Sequence, residues 1–334
     1  MLMVVFGAGA SFDSAAAFPD NEPLTWRPPI ANELFNMRRF GRYVAQFPKL
    51  RAFIKNLQPP ADVEQTLAKY QDESSSDDER VRQLAAVRYY LQGMLSDCLN
   101  GWRGEIHGAT NYNAFMDQVR HRRKGGERVC LVTFNYDTLL EEAVSEIASP
   151  ISAITDYISG EYQVIKLHGS INWAHDILPY RNVTNQHPGS VVNQVIQDVL
   201  KLKFSPDYHV IPAQPLTQRY LENAQFPALA IPIANKSSYV CPEVHHQMLV
   251  ECLPRVEKLL IISWRGADDS FLKLLAENIG ARSRVMVVSS SQAKASQIIL
   301  RIRNSGVNGS TFTAAEAGFG QTITNGEFER FLEA

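Results

Sequence analysis

Leu2-Met3-Val4-Val5-Phe6-Gly7-Ala8-Gly9-Ala10-Ser11 opens the chain with an apolar run followed by two glycines spaced by alanine. A short, continuous apolar run marks a strand covered on both faces, because a parallel sheet between two helix layers has no wet side. Glycine directly after such a strand supplies a sharp bend and lets the backbone come close to a ligand. Residues 2–6 are therefore read as a buried first strand, and Gly7, Ala8, Gly9, Ala10 and Ser11 as a turn suited to a pyrophosphate. The full dinucleotide fingerprint places a third glycine at position 12, where this chain has Phe12. Taken alone, the turn is equally consistent with a plain strand-to-helix connection.

Two more strand-like runs end in polar residues. The run at 128–133 leads into Thr133-Phe134-Asn135-Tyr136-Asp137. An asparagine exposed at a buried strand end is a typical functional placement. Asp137 also suits the cap of a helix that continues through Leu139 and Leu140. The run at 162–167 leads into Lys166-Leu167-His168-Gly169-Ser170. A histidine is the side chain suited by nature to accept or shuttle a proton near neutrality, which makes His168 the candidate base. The other histidines, His107, His121, His175, His187, His209, His245 and His246, fall in predicted loops or on helix faces and receive no role. A fourth strand end, Ile261-Ile262-Ser263-Trp264-Arg265-Gly266-Ala267-Asp268, offers Ser263 and Arg265 to phosphate, Arg265 through paired hydrogen bonds. A plain turn with Asp268 as helix N-cap explains the same residues.

Strand–helix alternation runs through 128–133, 137–148, 162–167, 258–263, 268–279, 284–288, 291–304 and 310–313, with a terminal helix from Glu327. It predicts an α/β fold: Rossmann-like, a mostly parallel sheet with helices on both faces, plus an inserted helical module. The expected division is residues 1–29 and 125–334 as the nucleotide-binding domain, with 30–124 as the helical module. Residues 171–235, rich in Pro and Asn, are expected to form an irregular capping segment. Residues 13–29 read as a long loop, of the kind that often covers a site. In folds of this class the ligand lies beyond the carboxyl ends of the strands, where all of these motifs fall.

Composition narrows the partners. The chain has 334 residues, 45% hydrophobic, with a formal net charge of −2. It is long enough for a sizeable core, and no overall basic balance points to nucleic acid. The basic cluster Arg120-His121-Arg122-Arg123-Lys124 is read as a helix C-terminus, where cations meet the negative end of the dipole. Cys98, Cys130, Cys241 and Cys252 form no Cys-x-x-Cys pair, so neither a zinc module nor any other metal site is expected. Cys130 reads as a small buried hydrophobe. No signal-peptide pattern or bilayer-length apolar run is present, which sets the expectation of a cytoplasmic protein without membrane partners.

In this order the three motifs resemble the NAD-binding core of the sirtuin (silent information regulator) family, and most closely its bacterial antiviral-defence branch of NAD hydrolases. The resemblance covers about half the chain, mainly the sheet segments. It implies NAD as substrate, Asn135 and His168 as catalytic residues, and cofactor contacts from the glycine turn, Thr133, Asn135, Asp137, Gly169, Ser170, Ser263 and Arg265. Deacylating sirtuins carry a paired-cysteine zinc module and a Pro-Asp-Phe-Arg run. Here Phe18-Pro19-Asp20-Asn21 lacks the Phe-Arg. The resemblance therefore implies an NAD glycohydrolase acting in antiphage defence by NAD depletion. The alternatives are an NAD-dependent deacylase or ADP-ribosyltransferase, and a non-enzymatic module that binds NAD or ADP-ribose. It further implies a homo-oligomer or a separately encoded regulatory partner, such as a hexameric DNA-translocating ATPase or an Argonaute-like protein.

Overall fold

The computed structural model describes residues 1–15, 25–57, 62–123, 125–178, 188–211, 225–233 and 239–333. Part of the 13–29 loop, including Phe18-Pro19-Asp20-Asn21, lies outside the described residues, as do parts of 171–235. The strands are β1 (Leu2–Phe6), β2 (Val129–Thr133), β3 (Tyr162–Lys166), β4 (Gly169–Leu178), β5 (Lys203–Phe204), β6 (His209–Val210), β7 (Gln225–Leu229), β8 (Lys258–Ile262), β9 (Arg284–Val288) and β10 (Thr311–Ala314). Helices in the first half are α1 (Ala8–Phe12), α2 (Met37–Val44), α3 (Leu50–Asn56), α4 (Val63–Glu73), α5 (Asp78–Glu105) and α6 (Asn111–Arg122). The second half adds α7 (Leu139–Ile147), α8 (Pro188–Asp198), α9 (Glu243–Cys252), α10 (Asp269–Asn278), α11 (Gln292–Asn304), α12 (Phe319–Thr324) and α13 (Glu327–Glu333).

The chain divides into two compact units. The first contains residues 1–24, 103–168 and 235–334. Its six-stranded sheet has the order β10-β9-β8-β1-β2-β3, and every pairing is parallel. Numbered within this unit alone, that order reads 3-2-1-4-5-6 from the β3 edge, the arrangement of dinucleotide-binding Rossmann folds. The fold class read from the sequence is thus the one observed. Strands β1, β2 and β3 are buried along their whole length, as a sheet covered on both faces requires. On one side α9, α10 and α11 pack over it through Leu249, Phe271, Leu275, Ile298 and Ile302. On the other, Phe6 meets Tyr112 and Phe115 of α6 at 5.3 and 5.9 Å and Phe319 of α12 at 6.3 Å. Such rings bury large apolar areas and favour tilted, edge-on contacts. At the end of α6, Arg122 pairs with Glu329 and Glu333, and Arg123 with Glu161.

The second unit contains residues 25–102 and 169–234. Here β4 pairs antiparallel with β5, β6 and β7. Helix α5 fastens to this sheet through polar groups: the Tyr89 hydroxyl donates to the Gln225 carbonyl at 2.7 Å, and Arg88 Nε to the Leu229 carbonyl at 3.2 Å. Gly169 has φ +76, and a Cβ there would lie 2.1 Å from the Ala228 carbonyl oxygen, so backbone approach alone demands glycine.

Two expectations change. The segment 171–235 is not irregular throughout, since its described residues contain most of β4 and all of α8, β5, β6 and β7. Its alternation is broken by a register shift between Gly169 and Ala174, and two of its strands are two residues long, which hides the period from a sequence reading. The helices of 30–124 also divide: α2–α4 and most of α5 join the β4 sheet, whereas α6 joins the parallel sheet. Helix periodicity marks an apolar face but not which sheet that face will cover.

Gly7 ends β1 at the point where the sheet order reverses, beside the end of β8. Its N–H donates to the Ile262 carbonyl at 3.0 Å. A Cβ on Gly7 would meet the Ser263 carbonyl oxygen at 2.4 Å and the Trp264 Cα at 2.6 Å, both backbone atoms that cannot swing aside. Gly7→Ala is expected to lose roughly 1–3 kcal/mol or more in urea denaturation. Gly104→Ala, where a Cβ meets nothing within 4 Å, is expected to hold or gain stability. Equal stability of Gly7→Ala and the wild-type chain would contradict this contact.

Candidate functional site

The first unit gathers its polar residues at the carboxyl ends of β1, β2, β3 and β8. Backbone bonding carries the ladder just past the strands: Phe134 N–H donates to the Phe6 carbonyl at 3.0 Å, and Leu167 N–H to the Thr133 carbonyl at 3.2 Å. Residues 134–135 and 167–168 therefore continue in line with their strands. That placement brings side chains far apart in sequence to one edge of the sheet.

At the glycine turn, Ala8 is exposed, Gly9 half-buried, and Ala10 and Ser11 buried. Across from it stands Ser263, with φ +53. A left-handed backbone costs a residue with a Cβ about 1–2 kcal/mol. Ser263 Cβ lies 2.9 Å from where a Cβ on Gly9 would sit. The strained serine and the two glycines form one close-fitting corner at the switch point. Arg265 is exposed, and its carbonyl accepts from Arg301 Nη1 at 3.1 Å. Of the sequence-predicted residues in this region, Gly7, Gly9 and Ser263 meet, while Ser11 is turned inward.

Asn135 is buried. Its N–H donates to Thr133 Oγ1 at 3.1 Å, so Thr133 braces the loop after β2. Its Nδ2 lies 3.1 Å from the Gly7 carbonyl, 3.0 Å from Ser11 Oγ and 3.1 Å from the Tyr112 hydroxyl. Among the described residues its Oδ1 has no hydrogen-bond partner. A buried carbonyl without a donor is costly, of order 1–3 kcal/mol, and such groups are concentrated where a ligand or water binds.

His168 follows β3 and is mostly buried. Its Nε2 lies 3.4 Å from Asp268 Oδ2. The other carboxylate oxygen of Asp268 accepts from the Phe271 N–H at 2.8 Å, capping α10. One carboxylate thus starts a helix and faces the imidazole. Phe134 meets the His168 ring edge-on at 4.9 Å and stacks on Trp264 at 5.2 Å. The Val240 N–H donates to the Leu167 carbonyl at 3.0 Å, which binds residue 240 to the stretch before the histidine.

Behind this edge lies a buried ion pair. Lys166 Nζ sits 2.8 Å from Glu141 Oε1, with the lysine side chain fully buried. The ammonium also donates to the Asp137 carbonyl, and the Tyr157 hydroxyl donates to Glu141 at 3.3 Å. Burial pushes the Glu141 carboxyl up from its ordinary value, and the Lys166 charge opposes that shift. Asp137 itself accepts from the Leu139 N–H at 3.2 Å, so its carboxylate supports the start of α7. Gly169 and Ser170 belong to the second unit. His245, one of the histidines expected in a loop or on a helix face, is buried in α9, with Nε2 against the Ile154 carbonyl at 3.0 Å.

Sequence reasoning missed three participants. Tyr112 carries no local signal, since a tyrosine on a helix face is ordinary core. Lys166 does carry one, because a lysine inside an apolar strand run requires a buried anion. Asp268 was read as a helix cap alone, and nothing local pairs it with a residue 100 positions away.

The family model described as SIR2-like domain matches residues 129–305, from β2 to just beyond α11. No curated protein matches the chain. Similar solved structures include Sir2Tm bound to a propionylated peptide, at 9% identity and TM-score 0.43, covering 99% of this chain and 94% of that one. Another is a triple mutant of Sir2 homologues in complex with 2'-O-acetyl ADP ribose, at 11% identity and TM-score 0.45, covering 100% of this chain and 93% of that one. A Sir2 homolog–NAD complex is similar at 12% identity and TM-score 0.36, covering 98% and 89%.

The ion pair yields a prediction with a pH sign. Lys166→Met leaves the Glu141 carboxylate buried without its cation, a loss of about 3–5 kcal/mol near neutrality. Its folded-state pKa then rises further above the unfolded value. A raised carboxyl pKa means that stability falls as pH rises through the ordinary glutamate value towards the folded one. Urea denaturation should therefore find the variant's deficit smaller at about pH 5 than at about pH 7. A deficit independent of pH would show that Glu141 is not the group left behind.

Proposed function

This chain belongs to the SIR2-like domain family, whose members use NAD, and on that premise we propose that it is an NAD glycohydrolase, cleaving NAD to nicotinamide and ADP-ribose. The observation that carries the reading is the unpaired, buried Oδ1 of Asn135 at the end of β2, with His168 at the end of neighbouring β3. A pure binding module needs no such pair. NAD is the substrate: its pyrophosphate is assigned to the corner of Gly7, Gly9 and Ser263, and its nicotinamide ribose to Asn135 and His168. The remaining assigned contacts, Ala8, Ala10, Ser11, Thr133, Asp137, Gly169, Ser170 and Arg265, belong to the same proposal. Several of them act through structure, Thr133 and Ser11 by holding Asn135.

In the reaction, the bond between the nicotinamide nitrogen and the ribose carbon breaks. Its electron pair leaves with the ring and neutralises the pyridinium. The ribose becomes electron-poor, with charge shared by its ring oxygen. Water adds to that carbon and gives up a proton. Asn135 Oδ1 is a fixed acceptor for the water, and its dipole favours the developing positive charge. His168 takes the proton, and the Asp268 carboxylate beside it stabilises the imidazolium that results. Phe134, backed by Trp264, and Tyr136 lie against the histidine and limit bulk water, which strengthens each electrostatic contact.

The setting we propose is NAD depletion in antiphage defence, with activity released by self-assembly or by a separately encoded partner. A purified monomer that is fully active alone would end that regulatory reading.

The test is NAD consumption by purified wild-type, His168→Ala and Asn135→Ala proteins, with products separated by chromatography. Nicotinamide and ADP-ribose from the wild type are expected. Each variant should fall roughly 100-fold or more while still unfolding cooperatively, Asn135→Ala with a lower melt because it leaves Ser11 and Tyr112 without the amide. NAD loss that requires an acylated peptide would make the protein a deacylase. Unchanged turnover in both variants would remove the site assignment.

A further inference from the structure

Asn135 is held by a group from outside the three strand-end motifs. Its Nδ2 carries two hydrogens and meets three oxygens, those of Gly7, Ser11 and Tyr112. The Gly7 carbonyl can only accept, so the nitrogen and not Oδ1 must face it. The hydroxyls of Ser11 and Tyr112 lie 3.0 Å apart and share one hydrogen between them. One hydroxyl hydrogen and one amide oxygen therefore remain unspent within the cluster. Tyr112 is fully buried, and burial together with the Asp137 charge pushes its phenol well above the ordinary value. It stays neutral, able both to donate and to accept. Its ring is fixed between Phe6 at 5.3 Å and Phe319 at 5.5 Å. The helix that carries it starts at a Thr110–Asn113 capping box immediately before.

We infer that Tyr112 is a positioning residue for the proposed reaction: with Ser11 its hydroxyl clamps the Asn135 amide so that Oδ1 is the acceptor offered to the attacking water. The chemistry rests on the glycohydrolase reading, whereas the clamp itself rests on the hydrogen bonds. Removing the phenol oxygen takes away one of the three contacts on the amide, which loosens the angle at which Oδ1 is presented while the Gly7 carbonyl still draws Nδ2 inward. Water capture, which needs Oδ1 at one fixed angle, is touched more than NAD binding, which the glycine corner and His168 share with Asn135.

The experiment compares wild type, Tyr112→Phe, Asn135→Ala and the double variant, with Ser11→Ala as a second probe should Tyr112→Phe fail to fold. Tyr112→Phe is expected to lower kcat about tenfold while KM for NAD stays within about twofold. Added to Asn135→Ala, it should cost nothing further, because the group it positions is gone. Labelled nicotinamide should exchange into NAD faster relative to hydrolysis in Tyr112→Phe than in wild type, since capture by water is the weakened step. An unchanged kcat, or losses that multiply in the double variant, would overturn the inference. Wild-type protein that fails to turn over NAD both alone and in its assembled, activated state would instead end the glycohydrolase reading. The clamp is then decided by a crystal structure of Tyr112→Phe, where a rotated Asn135 amide supports it and an unmoved one refutes it.

Discussion

The site depends on how closely β1 and β8 come together at their carboxyl ends. Parallel strands lie about 4.8 Å apart, and beyond the last ladder bond two neighbouring chains are free to part. Here they hardly part. Gly7 touches the Ser263 backbone so closely that a Cβ has no room, and Ser263 accepts a left-handed conformation to make the turn. Strain in a serine at such a place is maintained by its surroundings, with its N–H donating to the Val288 carbonyl at 2.8 Å and Trp264 packed behind it. The corner fixes where the Gly7 carbonyl points. That carbonyl in turn fixes which end of the Asn135 amide faces inward.

The buried polar groups near this edge form two separate networks. The Lys166–Glu141–Tyr157 group offsets most of its own desolvation: cation meets anion, and the ammonium also reaches the Asp137 carbonyl. The Asn135–Ser11–Tyr112 group leaves one hydroxyl hydrogen unspent and, among the described residues, the Asn135 Oδ1 without a partner, as the first group leaves Glu141 Oε2. Each open acceptor in a low-dielectric interior costs stability. What distinguishes the two groups is place: the ion pair lies behind the strand ends, whereas Asn135 stands at the end of β2 beside the glycine corner.

Much of the architecture was legible because a parallel sheet writes itself plainly. Val129–Thr133, Lys258–Ile262 and Arg284–Val288 are short runs dominated by apolar residues, and each matches its sequence reading within a residue. The second unit was harder to read. Its sheet is built from a bulged strand and two-residue partners, which carry no period. At the site, sequence picks out Asn135 and His168 because a polar residue ending an apolar run is conspicuous. It misses Tyr112 and Asp268, because their importance lies in what they touch. Ser11 and Tyr112 are 101 positions apart, and only the fold makes them neighbours.

The two proposed catalytic groups are held by different physical means, and the difference follows from what each must do. Asn135 must present one fixed dipole, so three oxygens from two segments, the glycine turn and α6, constrain its amide, and rotation would break several bonds at once. His168 must change charge, so it is held by rings, which constrain its plane without fixing its protonation. The carboxylate beside its ring, that of Asp268, is itself anchored by capping α10. A carboxylate fixed by a helix N-terminus favours the protonated imidazole by a constant amount, without the reorganisation that a mobile partner would cost. Rigid acceptor, ring-held base and fixed counter-charge are what the proposed water capture at a cationic sugar carbon would use, and they stand at the ends of two adjacent strands and the start of one helix.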